Sequence, residues 1–206
     1  MTKQIRELSE LQYGALKEIG NIGIGNAATS LSKLVNTRVR INIPNTKLEL
    51  IENIPKFTET SDSPVMGTFM RISKNLEGYI LVIFSENSAK SICQILTREN
   101  EIELSNSINI SLMEEAGHIL AGTYVTALSD FLHMEISIST PYTAYDMSEA
   151  ILNYVLTEMS YNVDFALLFD TELLVEDKKI KGTFLTLLEP ESLENLLIKI
   201  KEMMGF

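Results

Sequence analysis

Cysteine is almost missing from this sequence of 206 residues, because Cys93 is its only one. A single cysteine excludes an internal disulfide, and its apolar neighbours Ile92, Ile95 and Leu96 favour a buried thiol. Histidine is nearly as scarce. The two histidines and the cysteine lie far apart in the chain, without the spacing of a zinc site. This composition is typical of a protein of the reducing cytoplasm.

Basic residues are also few, with 17 Lys and Arg against 28 Asp and Glu and a formal net charge of -11. This balance argues against nucleic acid as a partner, because that binding depends on clustered Lys and Arg, and it favours a protein partner with basic groups. No apolar run approaches the roughly 18 residues of a membrane span, and the first 20 residues lack the apolar core of a signal peptide. We therefore expect a cytoplasmic protein with no membrane span.

The sequence repeats itself. At an offset of 97 positions, residues 18–44 (EIGNIGIGNAATSLSKLVNTRVRINIP) lie over residues 115–141 (EAGHILAGTYVTALSDFLHMEISISTP), and nine of the 27 positions are identical. At an offset of 104, residues 77–96 match residues 181–200 in pattern. We infer a tandem duplication, with repeat one at about 8–96 and repeat two at about 105–203. Two units are too few for a solenoid, so we predict a single pseudo-two-fold-symmetric domain over 1–206.

Each repeat begins with a long helical pattern, at about 7–35 and 106–132, and continues with the alternating pattern of strands. Further helices are predicted at 87–96 and 191–203, where Pro190 suits a first helical turn, and the second repeat has an additional one at 145–159. The predicted strands lie at 38–44, 65–72, 78–84, 134–140, 163–175 and 180–188. Short connections favour antiparallel pairing, so we predict an α+β fold, a mostly antiparallel sheet packed with two long helices.

The two long helices each carry a polar stripe of small residues with one acid in its middle. At about 100° per residue, one face of each helix collects the following residues: Gly14, Glu18, Asn21, Gly25, Thr29 and Ser32 in the first, and Ser111, Glu115, His118, Gly122, Thr126 and Ser129 in the second. A solvated helix face normally carries long charged side chains, which favour helix formation. Small residues instead leave room for another molecule to come close to Glu18 and Asn21.

The glycines admit other interpretations. Gly20, Gly117, Gly25 and Gly122 could let the two helices pack tightly together, and we favour this role for Gly20 and Gly117, which lie off the stripe. The segment GNIGIGN also suggests a nucleotide-binding loop. We reject that hypothesis because no strand precedes the segment, which lies inside a helical pattern.

The duplicated segments resemble the CheC/FliY/CheX family of response-regulator phosphatases, over essentially the whole chain. The family signature is Asp or Ser, then Glu four residues later, Asn three after that, and a proline about 22 residues further on. The first repeat has Gly14, Glu18, Asn21 and Pro44 at these positions. The second repeat has Ser111, Glu115, His118 and Pro141.

The resemblance implies that the chain hydrolyses the phosphoaspartate of a CheY-type receiver domain. It implies Glu18, Asn21, Glu115 and His118 as the catalytic residues, with no cofactor of the chain's own, because the receiver supplies Mg²⁺. Asn21 can hold the attacking water without adding negative charge near the phosphoryl oxygens. Glu18 would pair with the lysine that receivers place beside their phosphate.

Two positions depart from the signature. Gly14 lacks the side chain of the usual Asp or Ser, and His118 replaces the second Asn. An imidazole can hold a water molecule, but it differs from an amide in reach and can become a cation near neutral pH. We expect a principal site at Glu18 and Asn21 and a weakened or pH-sensitive one at Glu115 and His118. His118 could equally be a surface residue without a catalytic part. His133, at a helix-to-strand junction, is interpreted as structural.

The main rival to catalysis is interaction alone. The family resemblance implies binding to the receptor deamidase CheD, and a chain with one altered site could serve as an adaptor or a sensor of phosphorylated CheY. The region around residues 141–156, including Asp146, is a candidate docking region for CheD or a purely structural lid. A flagellar-switch component is a less favoured alternative, because the sequence shows no appended switch domain.

Overall fold

The computed structural model describes residues 10–54, 63–158, 165–175 and 178–203. Its helices are α1 (Glu10–Val35), α2 (Glu86–Thr97), α3 (Ser107–Leu132), α4 (Ser148–Glu158) and α5 (Pro190–Met203). Its strands are β1 (Val39–Asn42), β2 (Thr46–Leu50), β3 (Pro64–Lys74), β4 (Gly78–Ser85), β5 (Ile136–Ile138), β6 (Tyr142–Met147), β7 (Phe165–Val175) and β8 (Lys178–Leu188). A short 3₁₀ turn follows β2 at Ile51–Asn53.

All eight strands form one antiparallel sheet in the order β1-β7-β8-β4-β3-β5, with β2 continuing beside β7 and β6 beside β3. The order is symmetric when the two repeats are exchanged. Each repeat gives its first two strands to the hairpin of the other repeat, and the pair β4 and β8 joins them at the centre. The prediction of an α+β fold with an antiparallel sheet and long helices is confirmed.

The two faces of the sheet bury different clusters. Successive side chains of β7 alternate between them, so Phe169 and Leu173 join the larger cluster while Ala166 and Leu168 join the smaller one. The larger cluster lies under α1, α2, α3 and α5, and the smaller one lies under α4 and Ile54. The long helices therefore share one face of the sheet, which places their outer sides next to each other.

The helices α1 and α3 are antiparallel. The Tyr13 hydroxyl donates to the Thr46 carbonyl at 2.6 Å, near one end of β7, and the Val39 amide donates to Ser32 Oγ at 2.9 Å near the other end. Hence α1 runs along β7. By the same reasoning α3 runs along β3. Gly117 of α3 contacts Thr68 of β3, and Glu135, which follows α3, accepts the amide of Asn75, which follows β3. Because three antiparallel pairings separate β7 from β3, the helices run in opposite directions.

Two details of the predicted secondary structure need correction. Residues 145–147, predicted as helix, belong to β6, whose Tyr145 pairs with Met66 of β3, and α4 begins only at Ser148. The strands β2 and β6 were not predicted. Residues 7–9, 159 and 163–164, to which predicted elements extended, lie outside the described residues. The GNIGIGN segment lies within α1, as the rejection of the nucleotide-loop hypothesis requires.

Among the described residues, no helix combines the length and the apolar content needed to cross a bilayer.

Candidate functional site

The predicted site residues lie on the outer sides of α1 and α3. Glu18 and Asn21 are exposed one turn apart on α1, and Glu115 and His118 are exposed in the equivalent arrangement on α3. Within the described parts of the chain, none of the four makes a hydrogen bond or an ion pair with another side chain. Their polar atoms are therefore free to meet an incoming molecule.

The stripes have equivalent exposure in the two repeats. Along each helix the first, second, third and fifth members are exposed, and the fourth and sixth are half-buried. A Cβ atom added at Gly14 or Gly25 would have no neighbour within 4 Å, and one added at Gly122 would have its nearest neighbours at 4.0 Å, His118 Cδ2 and Ile138 Cδ1. Open space thus surrounds the Glu18 and Asn21 side chains, and the chain itself does not need these glycines to be small.

The last serine of each stripe has a different role. Ser32 Oγ donates to the Ala28 carbonyl at 2.6 Å and accepts the Val39 amide, and Ser129 Oγ donates to the Met134 carbonyl at 2.6 Å. These contacts bind the end of each helix to the strand segment that follows. The two serines are structural, and the candidate surface is limited to the preceding members of each stripe.

The helix ends are equivalent as well. Asn36 and His133 follow α1 and α3 with φ angles of 53° and 52°, in the left-handed conformation that commonly ends a helix. The interpretation of His133 as structural agrees with this position. At its start, α3 is capped by the Asn106 side chain, which accepts the Ile108 amide at 2.9 Å.

Two of the four glycines discussed above do not bring the helices together, contrary to the role we favoured. A Cβ atom at Gly20 would overlap the ring of Phe169 on β7, and one at Gly117 would lie 2.7 Å from Thr68 Cγ2 on β3. These two glycines let each helix approach the sheet. The close approach between the helices occurs instead at Gly23, where a Cβ atom would lie 2.7 Å from Tyr124 Cα.

The contact between Gly23 and Tyr124 fixes the relative position of the two sites. Because the helices are antiparallel, the Glu18 and Asn21 pair is about 11 residues, or about 16 Å, from Glu115 and His118 along the helix axes. With an interaxial distance of about 8–10 Å, the sites lie about 18 Å apart on one surface.

A groove of about 470 Å³ separates the outer sides of the two helices. Ile22 and Asn26 line it from α1, and Gly122, Thr126 and Asp130 are among the residues that line it from α3. Ile22 is 45% exposed and places a large apolar side chain beside the polar stripe. Neither Ile22 nor Asp130 was identified from the sequence, because only their position between two helices draws attention to them.

The two signature prolines lie outside the helices, in connections between strands. Pro44 lies in the turn between β1 and β2 and lines a separate cavity of about 250 Å³ together with Asp170 and Lys181. Pro141 lies between β5 and β6. Both prolines stand where a strand ends, and neither lies among the residues that line the groove between the helices.

The region proposed for CheD lies elsewhere. Asp146 is exposed on β6, where Oδ1 accepts the Met147 amide at 2.7 Å. Nearby, the exposed Tyr142 and Tyr154 stack at a ring distance of 6.2 Å, and both contact Phe69. An exposed aromatic surface therefore lies beside α4 and the first residue of β6, on the same face of the sheet as Asp146.

Comparison with known proteins identifies the repeated segments. The model of the CheC-like family matches residues 14–48 and 110–145, which contain both candidate sites. The CheY-P phosphatase CheC of Bacillus subtilis is 27% identical over 199 residues, covering 94% of this chain and 95% of that protein. The crystal structure of Thermotoga maritima FliY has the same fold, with a TM-score of 0.76, 20% identity and coverage of 95% and 98%.

A more distant structural neighbour is the CheX component of a CheX-CheY-BeF3-Mg²⁺ complex from Borrelia burgdorferi. It has a TM-score of 0.50 and 16% identity, and the match covers 81% of this chain and 96% of the CheX chain. The similarity in sequence thus reaches across both repeats, and the FliY structure shares the fold over 95% of the chain. Both repeats of this chain therefore resemble the CheC-like family.

Proposed function

We propose that this protein is a chemotaxis phosphatase that hydrolyses the aspartyl phosphate of a CheY-type response regulator. The observation that carries the proposal is the exposed pair Glu18 and Asn21, one turn apart and without partners in the described chain, on a helix surface cleared by Gly14 and Gly25. The name of the Bacillus subtilis relative supports the substrate. So does the CheX structure with the same fold, which was solved with CheY, BeF3 and Mg²⁺.

Asn21 is the residue that positions water in this proposal. Its amide accepts a hydrogen bond from the water and orients the oxygen in line with the bond between phosphorus and the aspartyl oxygen. The water oxygen forms a bond to phosphorus, the bond to the aspartyl oxygen breaks, and inorganic phosphate and a free carboxylate result. A neutral amide suits this role because a carboxylate would repel the phosphoryl oxygens.

Glu18 is the residue that docks the receiver. Its exposed carboxylate, on the same face as Asn21, would pair with the lysine beside the receiver's phosphate and so fix the register of the complex. Mg²⁺, which neutralises charge on the phosphoryl group, would be held by the receiver and not by this chain. Glu115 would dock a receiver at the second site, where the His118 imidazole takes the place of the amide.

The decisive experiment follows the lifetime of the phosphate on a CheY-type receiver. The protein is expected to shorten it, and Asn21→Ala is expected to remove most of the activity, by about 100-fold or more in kcat. Asn153→Ala, an exposed asparagine on α4 on the opposite face of the sheet, is the matched control. His118→Ala is expected to lower the rate much less, and His118→Asn to raise it. An unchanged lifetime with wild-type protein would refute the proposal.

The exposed aromatic surface on the same face of the sheet as Asp146 favours a second function, the binding and regulation of the deamidase CheD. Tyr142 and Tyr154 offer an apolar area of the kind that protein interfaces use, away from both phosphatase sites. Repeating the phosphate assay with and without CheD separates the two functions. Asp146→Arg is expected to abolish any effect of CheD and to leave the basal rate unchanged. If the protein binds CheD but never alters the phosphate lifetime, it is an adaptor or a sensor.

A further inference from the structure

Charged residues of opposite sign occupy equivalent positions in the two repeats. Lys17 of the first repeat corresponds to Glu114 of the second, and Lys33 corresponds to Asp130. Lys17, Lys33 and Asp130 are exposed and Glu114 is half-buried. In the ranges of the chain that the structure describes, none of the four takes part in an ion pair. Their charges are therefore available to a docked molecule.

Asp130 stands across the groove from the first site. It lines the groove with Ile22, and the contact of Gly23 with Tyr124 puts position 130 of α3 about level with position 18 of α1. The pseudo-symmetry gives Lys33 the equivalent place across the groove from Glu115. Each site thus includes residues of both helices. Its carboxylate and its amide or imidazole lie on one helix, and a charged side chain of the other helix lies across the groove from them.

Lys17 and Glu114 lie on the opposite side of each site. Lys17 precedes Glu18 and lies about 100° from it around the helix, in the direction away from the Gly23 contact with α3. Glu114 is placed equivalently beside Glu115. The first site therefore has an acid on its groove side and a base on its outer side, and the second site has the reverse.

We propose that Asp130 and Lys33 determine which receivers each site accepts. The site of Glu18 and Asn21 accepts a receiver with a basic group over the groove, and the site of Glu115 and His118 accepts one with an acidic group there. This inference rests on the proposed phosphatase function. Two receivers of different surface charge could then be served by one chain.

Asp130 and Lys33 act on docking and not on the chemical step. Charges about 10 Å from the site, at the edge of an interface, change association rates and KM and depend on ionic strength, because they do not touch the reacting atoms. The expected signature is a change in KM with little change in kcat, largest in dilute salt. A merely structural role for Asp130 would not produce a salt-dependent change of this kind.

Single-site proteins test the proposal. Glu115→Ala with His118→Ala leaves only the first site, and Glu18→Ala with Asn21→Ala and His118→Asn leaves only a repaired second site. The receiver is the one whose phosphate the first-site protein removes fastest. In the first-site protein, Asp130→Lys is expected to raise KM about three- to tenfold in about 0.05 M salt and to lose most of this effect in about 0.5 M salt.

The second-site protein provides the reciprocal test. There Lys33→Asp is expected to lower KM for the same receiver by a similar factor, while Asp130→Lys, about 20 Å from that site, has little effect. Glu149→Lys, the same change of charge on α4 beneath the other face of the sheet, is the matched control. Where turnover by one site is slow, the Kd for the receiver loaded with BeF3 and Mg²⁺ replaces KM.

Several outcomes would overturn the inference. In the first-site protein, Asp130→Lys would change KM no more than Glu149→Lys does, would lower KM in place of raising it, or would have an effect that persists in concentrated salt. Alternatively, Asp130→Lys would change KM equally in the first-site and second-site proteins. Failure of the phosphatase proposal looks different. In that case neither wild-type protein nor either single-site protein shortens the phosphate lifetime or binds the loaded receiver, and the inference falls with it.

Discussion

Gly23 of α1 packs against the backbone of Tyr124 on α3, where an added Cβ atom would lie 2.7 Å from Tyr124 Cα. A helix backbone cannot move aside as the end of a flexible side chain can. Gly23 thus determines how closely the two helices approach, and with it the relative position of the two candidate sites.

Gly23→Ala is expected to destabilise the fold by about 1–3 kcal/mol, although alanine favours a helix by about 1 kcal/mol over glycine. The clash with the Tyr124 backbone outweighs that preference. Gly25→Ala is the matched control, because a Cβ atom there meets nothing within 4 Å, and it is expected to stabilise the helix by up to about 1 kcal/mol. Urea unfolding followed by circular dichroism measures both. Equal changes in the two variants would contradict this assignment.

Gly25 is expected to separate stability from activity. Gly25→Leu adds a side chain to a position that is open in the chain, so the free energy of unfolding should not fall. If a receiver must come close to Asn21, one turn away, the added bulk displaces it and lowers kcat/KM for phosphate hydrolysis by about tenfold or more. A Gly25→Leu protein with wild-type kcat/KM would show that the receiver does not cover this part of the helix.

Periodicity and duplication predicted the long helices, the hairpins and the fold class, because these depend on local patterns. The exchange of strands between repeats could not be predicted, since β1 could have paired with β3 of its own repeat as well as with β7. For the same reason the packing of Gly20 and Gly117 could not be deduced. Whether a glycine faces a helix or a sheet depends on the tertiary arrangement and not on its position along the helix.

The candidate site shows a similar division. Helical spacing correctly placed Glu18 with Asn21, and Glu115 with His118, on exposed faces. Asp130 and Ile22 emerged only when the second helix was in position beside the first. The error at residues 145–147 arose because β6 runs directly into α4, so no irregular segment separates the strand from the helix.

Tyr124 makes stability depend on pH in alkali. It is buried beside Phe169 and Phe184, with ring distances of 5.6 and 5.0 Å, and burial raises the pKa of its hydroxyl from 10 to about 12. Between these values the tyrosine ionises only in the unfolded chain, so the free energy of unfolding falls as pH rises, by about 3 kcal/mol in total. Below pH 10 both states are neutral and the contribution to pH dependence vanishes.

Tyr124→Phe isolates this contribution. Its free energy of unfolding, from urea titrations at pH 9, 10 and 11, is expected to fall less steeply with pH than that of the wild type, while other tyrosines contribute to both proteins. Identical slopes would mean that the Tyr124 hydroxyl reaches solvent in the folded protein.

The separation of the two sites limits how many receivers bind at once. A globular domain of about 100 residues has a radius of gyration near 13 Å, and hence a diameter of more than about 30 Å, whereas the sites lie about 18 Å apart on one surface. We expect one receiver, loaded with BeF3 and Mg²⁺, per chain in sedimentation equilibrium at saturating concentrations.

The variants Glu18→Arg and Glu115→Arg distinguish steric exclusion from an inactive second site. Each blocks one site by placing a like charge against the receiver's lysine, and each protein is expected to bind one receiver at the site that remains. Steric exclusion then requires that the wild-type protein also binds only one receiver, because a receiver at either site prevents binding at the other. A wild-type complex with two receivers per chain would show that receivers dock on the outer sides of α1 and α3, tilted away from the groove, and that the groove is not covered when both sites are occupied.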